Sequence, residues 1–135
     1  MKLLFIALSV LIGVYDLVLN IIRYRSANNP TPENMADVYD AETYVKWKKY
    51  SAENSRLAIL TGIISCVISV ALLATNAYSA FASLFGPHPV TQLFAVILLV
   101  TAVDFVVSVV RSYISNMIIE QKYGFNKTTI KTFIG

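Results

Sequence analysis

Apolar residues along this chain gather into three long runs and do not recur every third or fourth position, the pattern of helices that meet lipid on most sides. Leu3 to Ile22 is the first run, 20 residues or about 30 Å as a helix, which matches the hydrocarbon thickness of a bilayer. Lys2 followed by apolar residues is also how a secretory signal begins, but no A-x-A-like cleavage site follows, so an uncleaved span is expected. Leu57 to Phe85 is the second run, 29 residues, longer than a bilayer requires and therefore expected to tilt or project. Gly86-Pro87-His88-Pro89 then makes a tight turn without Lys or Arg, and Leu93 to Ile119 is the third run.

The polar stretch from residue 23 to 56 interrupts this pattern. Asn28-Asn29-Pro30-Thr31-Pro32 ends the first helix, and Thr31, Pro32 and Glu33 have the order of a cap, first residue and first-turn acid of a short helix. Asp40 with Glu42 and Thr43 is a second N-terminal signal, which predicts an amphipathic interfacial helix from about Ala41. Along it Tyr44, Trp47 and Tyr50 recur every third residue among Lys46, Lys48 and Lys49. That spacing suits rings at headgroup depth and rings packed against the protein equally well.

Two pairs of strongly polar residues stand out inside the first and third runs. Asp16 and Asn20 are one helical turn apart on one face, and Asp104 and Arg111 are nearly two turns apart on another. A charge at mid-bilayer costs roughly 2.5 to 3.5 kcal/mol on insertion scales, so all four are expected to turn away from lipid. Two arrangements satisfy this: neutralisation within or between helices, and the wall of a polar chamber. Ala71, Thr75, Ser79 and Ser83 form a ladder of small residues at a four-residue period, with Gly62 and Cys66 spaced likewise, as helices that approach closely in lipid require.

Only 14% of residues are charged, and the net charge is +3. The cations flank the apolar runs and form no separate basic face, which argues for a bilayer and against nucleic acid as the partner. Loop and tail hold nine Lys and Arg, against Lys2 alone at the start and none in the turn, so polar loop and C-terminus are expected on the cytoplasmic side and the N-terminus outside. Asn126-Lys127-Thr128, formally a glycosylation acceptor, is then out of the transferase's reach. A lone Cys66 excludes an intrachain disulfide, and a lone His88 excludes an H-E-x-x-H zinc helix within these residues. No plausible serine triad and no Gly-rich phosphate loop occur. No internal repeat stands out.

"IIEQKYGFNKTT", after the third run, resembles the signature that follows the third span of type I CAAX prenyl proteases, which are zinc metalloendopeptidases of the bilayer. "NPTPENMADVYDAETYVKWKKYSAENSRL" is similar to the first cytoplasmic loop of the same family. The resemblance covers essentially the whole chain as one N-terminal transmembrane domain. It implies a chamber of about seven helices in the complete enzyme and a zinc ion held by residues downstream of this segment. It also implies a catalytic part as partner, and no proteolysis by these residues alone. The connector residues that match the motif are Glu120, Lys122, Gly124, Phe125 and Asn126. Many members carry a Leu-Pro helix break where this chain has Val109-Val110-Arg111, so no kink is carried over. A freestanding noncatalytic interaction or regulatory protein derived from that domain is the alternative, and a small transporter using Asp104 and Arg111 is a third reading.

The expectation is therefore an all-α integral membrane domain with spans near 3–22, 57–85 and 93–119, an interfacial helix in the loop of 23–56, and a connector over 120–135. Asn126 is expected to cap a helix from Lys127 onward.

Overall fold

The computed structural model describes residues 1–27, 29 and 40–126. The helix starts proposed at Thr31 and after Asn126 lie outside these residues. Helix α1 runs from Lys2 to Ser26, α2 from Ala41 to Ala74, α3 from Ala77 to Ser83 and α4 from Pro89 to Tyr113. From Ile114 to Glu120 α4 continues as a π-helix. No strand occurs among the described residues.

Three of these helices, Lys2–Ser26, Glu42–Ala74 and Pro89–Glu120, are long and apolar enough to cross a membrane. Their outer faces are bare: Leu3 is 81% exposed and Phe94 67%, which in water would be ruinous and in lipid is ordinary. The tightly packed positions are few, Leu57, Ala58, Ala82, Ala95 and Ile119 among them. The protein is an integral membrane domain of helices, as the hydrophobic runs require.

Two boundaries differ from the sequence reading. The helix that begins at Ala41 passes without a break into the second span, giving 34 residues or about 51 Å of continuous helix. Asp40 caps it as expected, its carboxylate accepting from the Thr43 amide at 3.4 Å and the Thr43 hydroxyl at 3.2 Å. Nothing between Tyr50 and Leu57 breaks a helix, so the change from polar to apolar alters the solvent and leaves the backbone alone. Conversely the second run does not reach Phe85 as one helix. It stops at Ala74, because Asn76 adopts a left-handed conformation at φ 57° and α3 starts afresh behind it. Lys2 secures the break: its ammonium donates to the Ala74 carbonyl at 2.7 Å and to Asn76 Oδ1 at 2.9 Å, neutralising the negative end of α2. The ladder of Ala71, Thr75, Ser79 and Ser83 is thereby split, and the Thr75 and Ser83 hydroxyls bond carbonyls of their own helices.

Helix α1 lies antiparallel along α2, α3 lies against α4, and the π-helix returns to the polar extension of α2. Gly13 sets the closeness of the first pair. A Cβ there would sit 2.5 Å from Cys66 Sγ and 3.1 Å from Cys66 Cβ, so only glycine lets the two backbones approach this far. Gly62, of the same spacing class, meets no atom within 4 Å. In the turn before α4, Gly86 takes φ 87°, Pro89 occupies the first helical turn, and His88 Nδ1 accepts from the Val90 amide at 3.3 Å.

Candidate functional site: a polar cavity and the connector beside it

The four intramembrane polar residues meet at one place. Asp16 and Asn20 from α1, and Asp104 and Arg111 from α4, line a cavity of about 560 Å³ between α1, α2 and α4. Helix α2 contributes Thr61, Ser65, Cys66 and Ser69 to the same wall. The helices present small and polar side chains inward and large apolar ones outward, as expected of spans around a wet space. Among the described residues the only ion pair is Lys122 with Glu53, and neither Asp16, Asp104 nor Arg111 pairs with another.

Arg23 joins them, although sequence reasoning treated it only as a flanking cation. A signal for it was present. Asp16-Leu-Val-Leu-Asn20-Ile-Ile-Arg23 and Asp104-Phe-Val-Val-Ser108-Val-Val-Arg111 share one pattern, an acid, a small polar residue four positions on and an arginine three beyond. Three positions recurring in an eight-residue window are too few for a repeat search, but on a helix they make one stripe. Both stripes line the cavity, on helices that run in the same direction.

Their levels follow from fixed contacts. Gly13 is level with Cys66, and Tyr24 is level with Arg56, whose Nε and Nη2 donate to the Tyr24 hydroxyl at 3.1 and 2.6 Å. Ser115 donates to Asn54 Oδ1 at 2.8 Å, which places that turn of α4 beside the polar extension of α2. The two arginines therefore sit near Leu57 and Ala58, where the apolar part of α2 begins. The two aspartates lie seven residues back along their helices, about 10 Å deeper.

Beside this arginine end, the connector folds onto α2. Lys122 Nζ lies 2.5 Å from Glu53 Oε1, and the Tyr123 hydroxyl donates to the same oxygen at 2.9 Å. The carboxylate's hydrogen bond holds the Lys122 ammonium above the ordinary lysine range. Burial, then the hydrogen bond to Glu53, raises the Tyr123 phenol. The Tyr50 hydroxyl donates to Glu120 Oε1 at 3.1 Å. Its ring meets Phe125 edge-on at 5.0 Å between centroids and Tyr123 at 6.0 Å. Gly124 turns the chain at φ 70°, with Lys46 Nζ 3.7 Å from where its Cβ would be. Asn126 Nδ2 donates to the Asn116 carbonyl at 3.5 Å. Tyr44, Trp47 and Tyr50 divide between the two sequence readings: Tyr50 packs on the connector, whereas Trp47 is 49% exposed and stacks with Tyr44.

Among the described residues no three His, Cys, Asp or Glu side chains come together to hold a metal. His88 is engaged at the start of α4, far along that helix from the connector. These residues do not fit a zinc ion.

A family described as CAAX prenyl protease N-terminal, five membrane helices, matches residues 20–135. The chain belongs to this family. The matched segment takes in Asn20, Arg23, the cavity linings of α2 and α4 and the connector, whereas Ser9, Ile12, Gly13 and Asp16 of the cavity precede it. The crystal structure of S. mikatae Ste24p superposes on 98% of the chain with a TM-score of 0.77 at 24% identity, a shared fold. The chain spans 33% of the length of that relative. No curated protein sequence matches it.

Proposed function

We propose that this family domain forms part of the wall of an intramembrane chamber in a CAAX prenyl protease-like zinc metalloendopeptidase. The zinc and the cutting residues come from a further part of the enzyme, outside these 135 residues. The observation that carries the reading is the convergence of Asp16, Asn20, Asp104 and Arg111, from two spans, on one cavity that a third span closes. Charges that neither pair nor face lipid need water or substrate opposite them, and a chamber supplies both. The family's description supports prenylated proteins with a C-terminal CAAX sequence as the substrate class, with other membrane proteins as the alternative. In this assembly Glu120, Lys122 and Phe125 bind α2, Gly124 turns the chain and Asn126 bonds back to Asn116, and together these connector residues fix the exit of the last span. The polar extension of α2 and the connector face the cytoplasm, where the excess of cations favours them.

Hydrolysis in such an enzyme is the metal site's chemistry; this domain's contribution is a polar wall against which substrate is held. The test is to reconstitute the chain in liposomes with a second polypeptide carrying the H-E-x-x-H part of a family member and assay removal of the C-terminal tripeptide from a farnesylated peptide. Cleavage is expected with both polypeptides and with neither alone. Zinc-dependent cleavage by this chain unaided, or failure of the two to copurify, would refute the assignment. The proposed orientation is tested by labelling a Lys49→Cys variant in intact membranes: reaction from the outside overturns it.

A further inference from the structure

The cavity separates its charges by depth, and this bears on what it binds whether or not the assembly is a protease. Two guanidiniums, Arg23 and Arg111, line the end of the cavity that lies beside the polar extension of α2. Two carboxylates, Asp16 and Asp104, line it about 10 Å deeper, as the matched seven-residue spacing on parallel helices requires. No ion pair joins the tiers among the described residues, and neither guanidinium makes a hydrogen bond there. Each guanidinium presents five N–H donors, and so close to hydrocarbon these require acceptors. Within a turn of them the cavity wall offers Asn20 and Ser108 on their own helices, with the Asn20 amide donating to the Asp16 carbonyl at 2.9 Å, and on α2 the Thr61 hydroxyl, which donates to Leu57 and Ala58 carbonyls at 2.8 and 3.3 Å; none of these carries a charge to match a guanidinium.

We propose that Arg23 and Arg111 form a binding site for the phosphate group of an anionic phospholipid at the boundary end of this cavity. The depth fits: the pair sits where the apolar part of α2 begins, which is the level of headgroup phosphates, and basic pockets between spans at that level are the usual lodging of such headgroups. The chemistry fits as well, because two planar guanidiniums lining one space supply the fork of donors that a tetrahedral oxyanion with several acceptor oxygens takes. Asp16 and Asp104 set the limit of entry, since an anion moving deeper meets like charge in a poorly screened space. Arg25, in the same last turn of α1, does not line the cavity and serves as the internal control.

The experiment uses the full chain in detergent, with retained lipid counted by native mass spectrometry. Phosphatidylglycerol is compared with phosphatidylcholine of the same acyl chains, and inorganic phosphate is the soluble competitor. One tightly held phosphatidylglycerol per chain is expected, with phosphatidylcholine held at least roughly tenfold more weakly, because a charge-assisted contact is at stake. Replacing Arg23 or Arg111 by Gln should cost a similar factor, whereas Arg111→Lys should retain part of the binding and Arg25→Gln all of it. Circular dichroism of each variant separates loss of the site from loss of the fold. Competition by inorganic phosphate at millimolar concentration assigns the site to the phosphate group itself; retention of lipid under those conditions assigns it to the intact headgroup, and either outcome supports the proposal. Equal retention of the two lipids, an equal loss on Arg25→Gln, or displacement by a peptide C-terminal carboxylate but not by phosphate or lipid would overturn it.

Discussion

Gly13 is where α1 approaches Cys66 of α2 too closely for a larger residue, and its replacement by Ala has a calculable consequence. The new Cβ would lie 2.5 Å from Cys66 Sγ and 3.1 Å from Cys66 Cβ, both inside van der Waals contact. The sulfur can swing aside on one torsion; the Cβ can move only with the backbone of α2. Overpacking of this kind costs about 1–3 kcal/mol, offset by up to about 1 kcal/mol because Ala loses less backbone freedom than Gly in a helix. The net expectation for Gly13→Ala is a destabilisation of about 1 kcal/mol. Cys66→Ala removes the nearer atom, so the methyl group introduced on α1 then occupies the space the sulfur leaves. In a double-mutant cycle on the thermal or denaturant unfolding of the chain in detergent micelles, the coupling between the sites should reach about 1 kcal/mol, whereas independent sites add to within roughly 0.3–0.5 kcal/mol. A Gly13→Ala variant as stable as the parent, or one that Cys66→Ala does not rescue, would show that α1 and α2 do not meet at this point.

Asn76 ends α2 by adopting φ 57°, where a side chain other than Asn or Gly is strained by about 1–2 kcal/mol. Asn76→Ala and Asn76→Gly both lose the Lys2 contact, so Asn76→Ala should be the less stable by about 1 kcal/mol; equal unfolding midpoints would contradict the assigned break. Glu53 accepts from both Lys122 and Tyr123, so Glu53→Ala should speed hydrogen exchange over residues 121–125 several-fold. With Lys122 58% exposed, the global unfolding midpoint should hardly move, and unchanged exchange would remove the connector's assigned anchor. Since Lys122 is raised from 10.5 in the folded chain, its contribution is full below that value and fades only as pH climbs through the higher folded one. Connector exchange measured up to about pH 10 should therefore show no loosening from this residue.

What hydropathy could reveal, it revealed where a solvent change and a backbone change coincide. Helix α1 ends just before Asn28-Asn29-Pro30, and α4 begins at Pro89, because proline marks both for the backbone itself. At Tyr50 to Leu57 the solvent changes and the backbone does not, so an interfacial helix and a span that look separate in sequence are one rod. At Thr75-Asn76 the reverse holds: a left-handed Asn hides between apolar residues because two polar side chains barely lower a long hydropathy average. The π-helix over Ile114–Glu120 falls on the motif Ile118-Ile119-Glu120 with no local residue to announce it; nothing in Ile114-Ser115-Asn116 demands an extra residue in the turn. The intramembrane polar residues were legible individually, since charge in hydrocarbon calls attention to itself. Their convergence with Arg23 depended on the pairing of three helices, and the matched spacing of Asp16 with Arg23 and Asp104 with Arg111 acquires meaning only once those helices are parallel.

Water access to the cavity face of α4 is the most direct measure of whether these spans enclose a polar space. In a Cys66→Ser background reconstituted into liposomes, a membrane-impermeant thiol reagent should modify a cysteine at position 108, which lines the cavity. It should leave unmodified a cysteine at position 105, where Phe105 is 67% exposed on the lipid side. Equal protection of both positions, or labelling of 105 in preference to 108, would mean that the acids and arginines do not look onto a water-filled chamber.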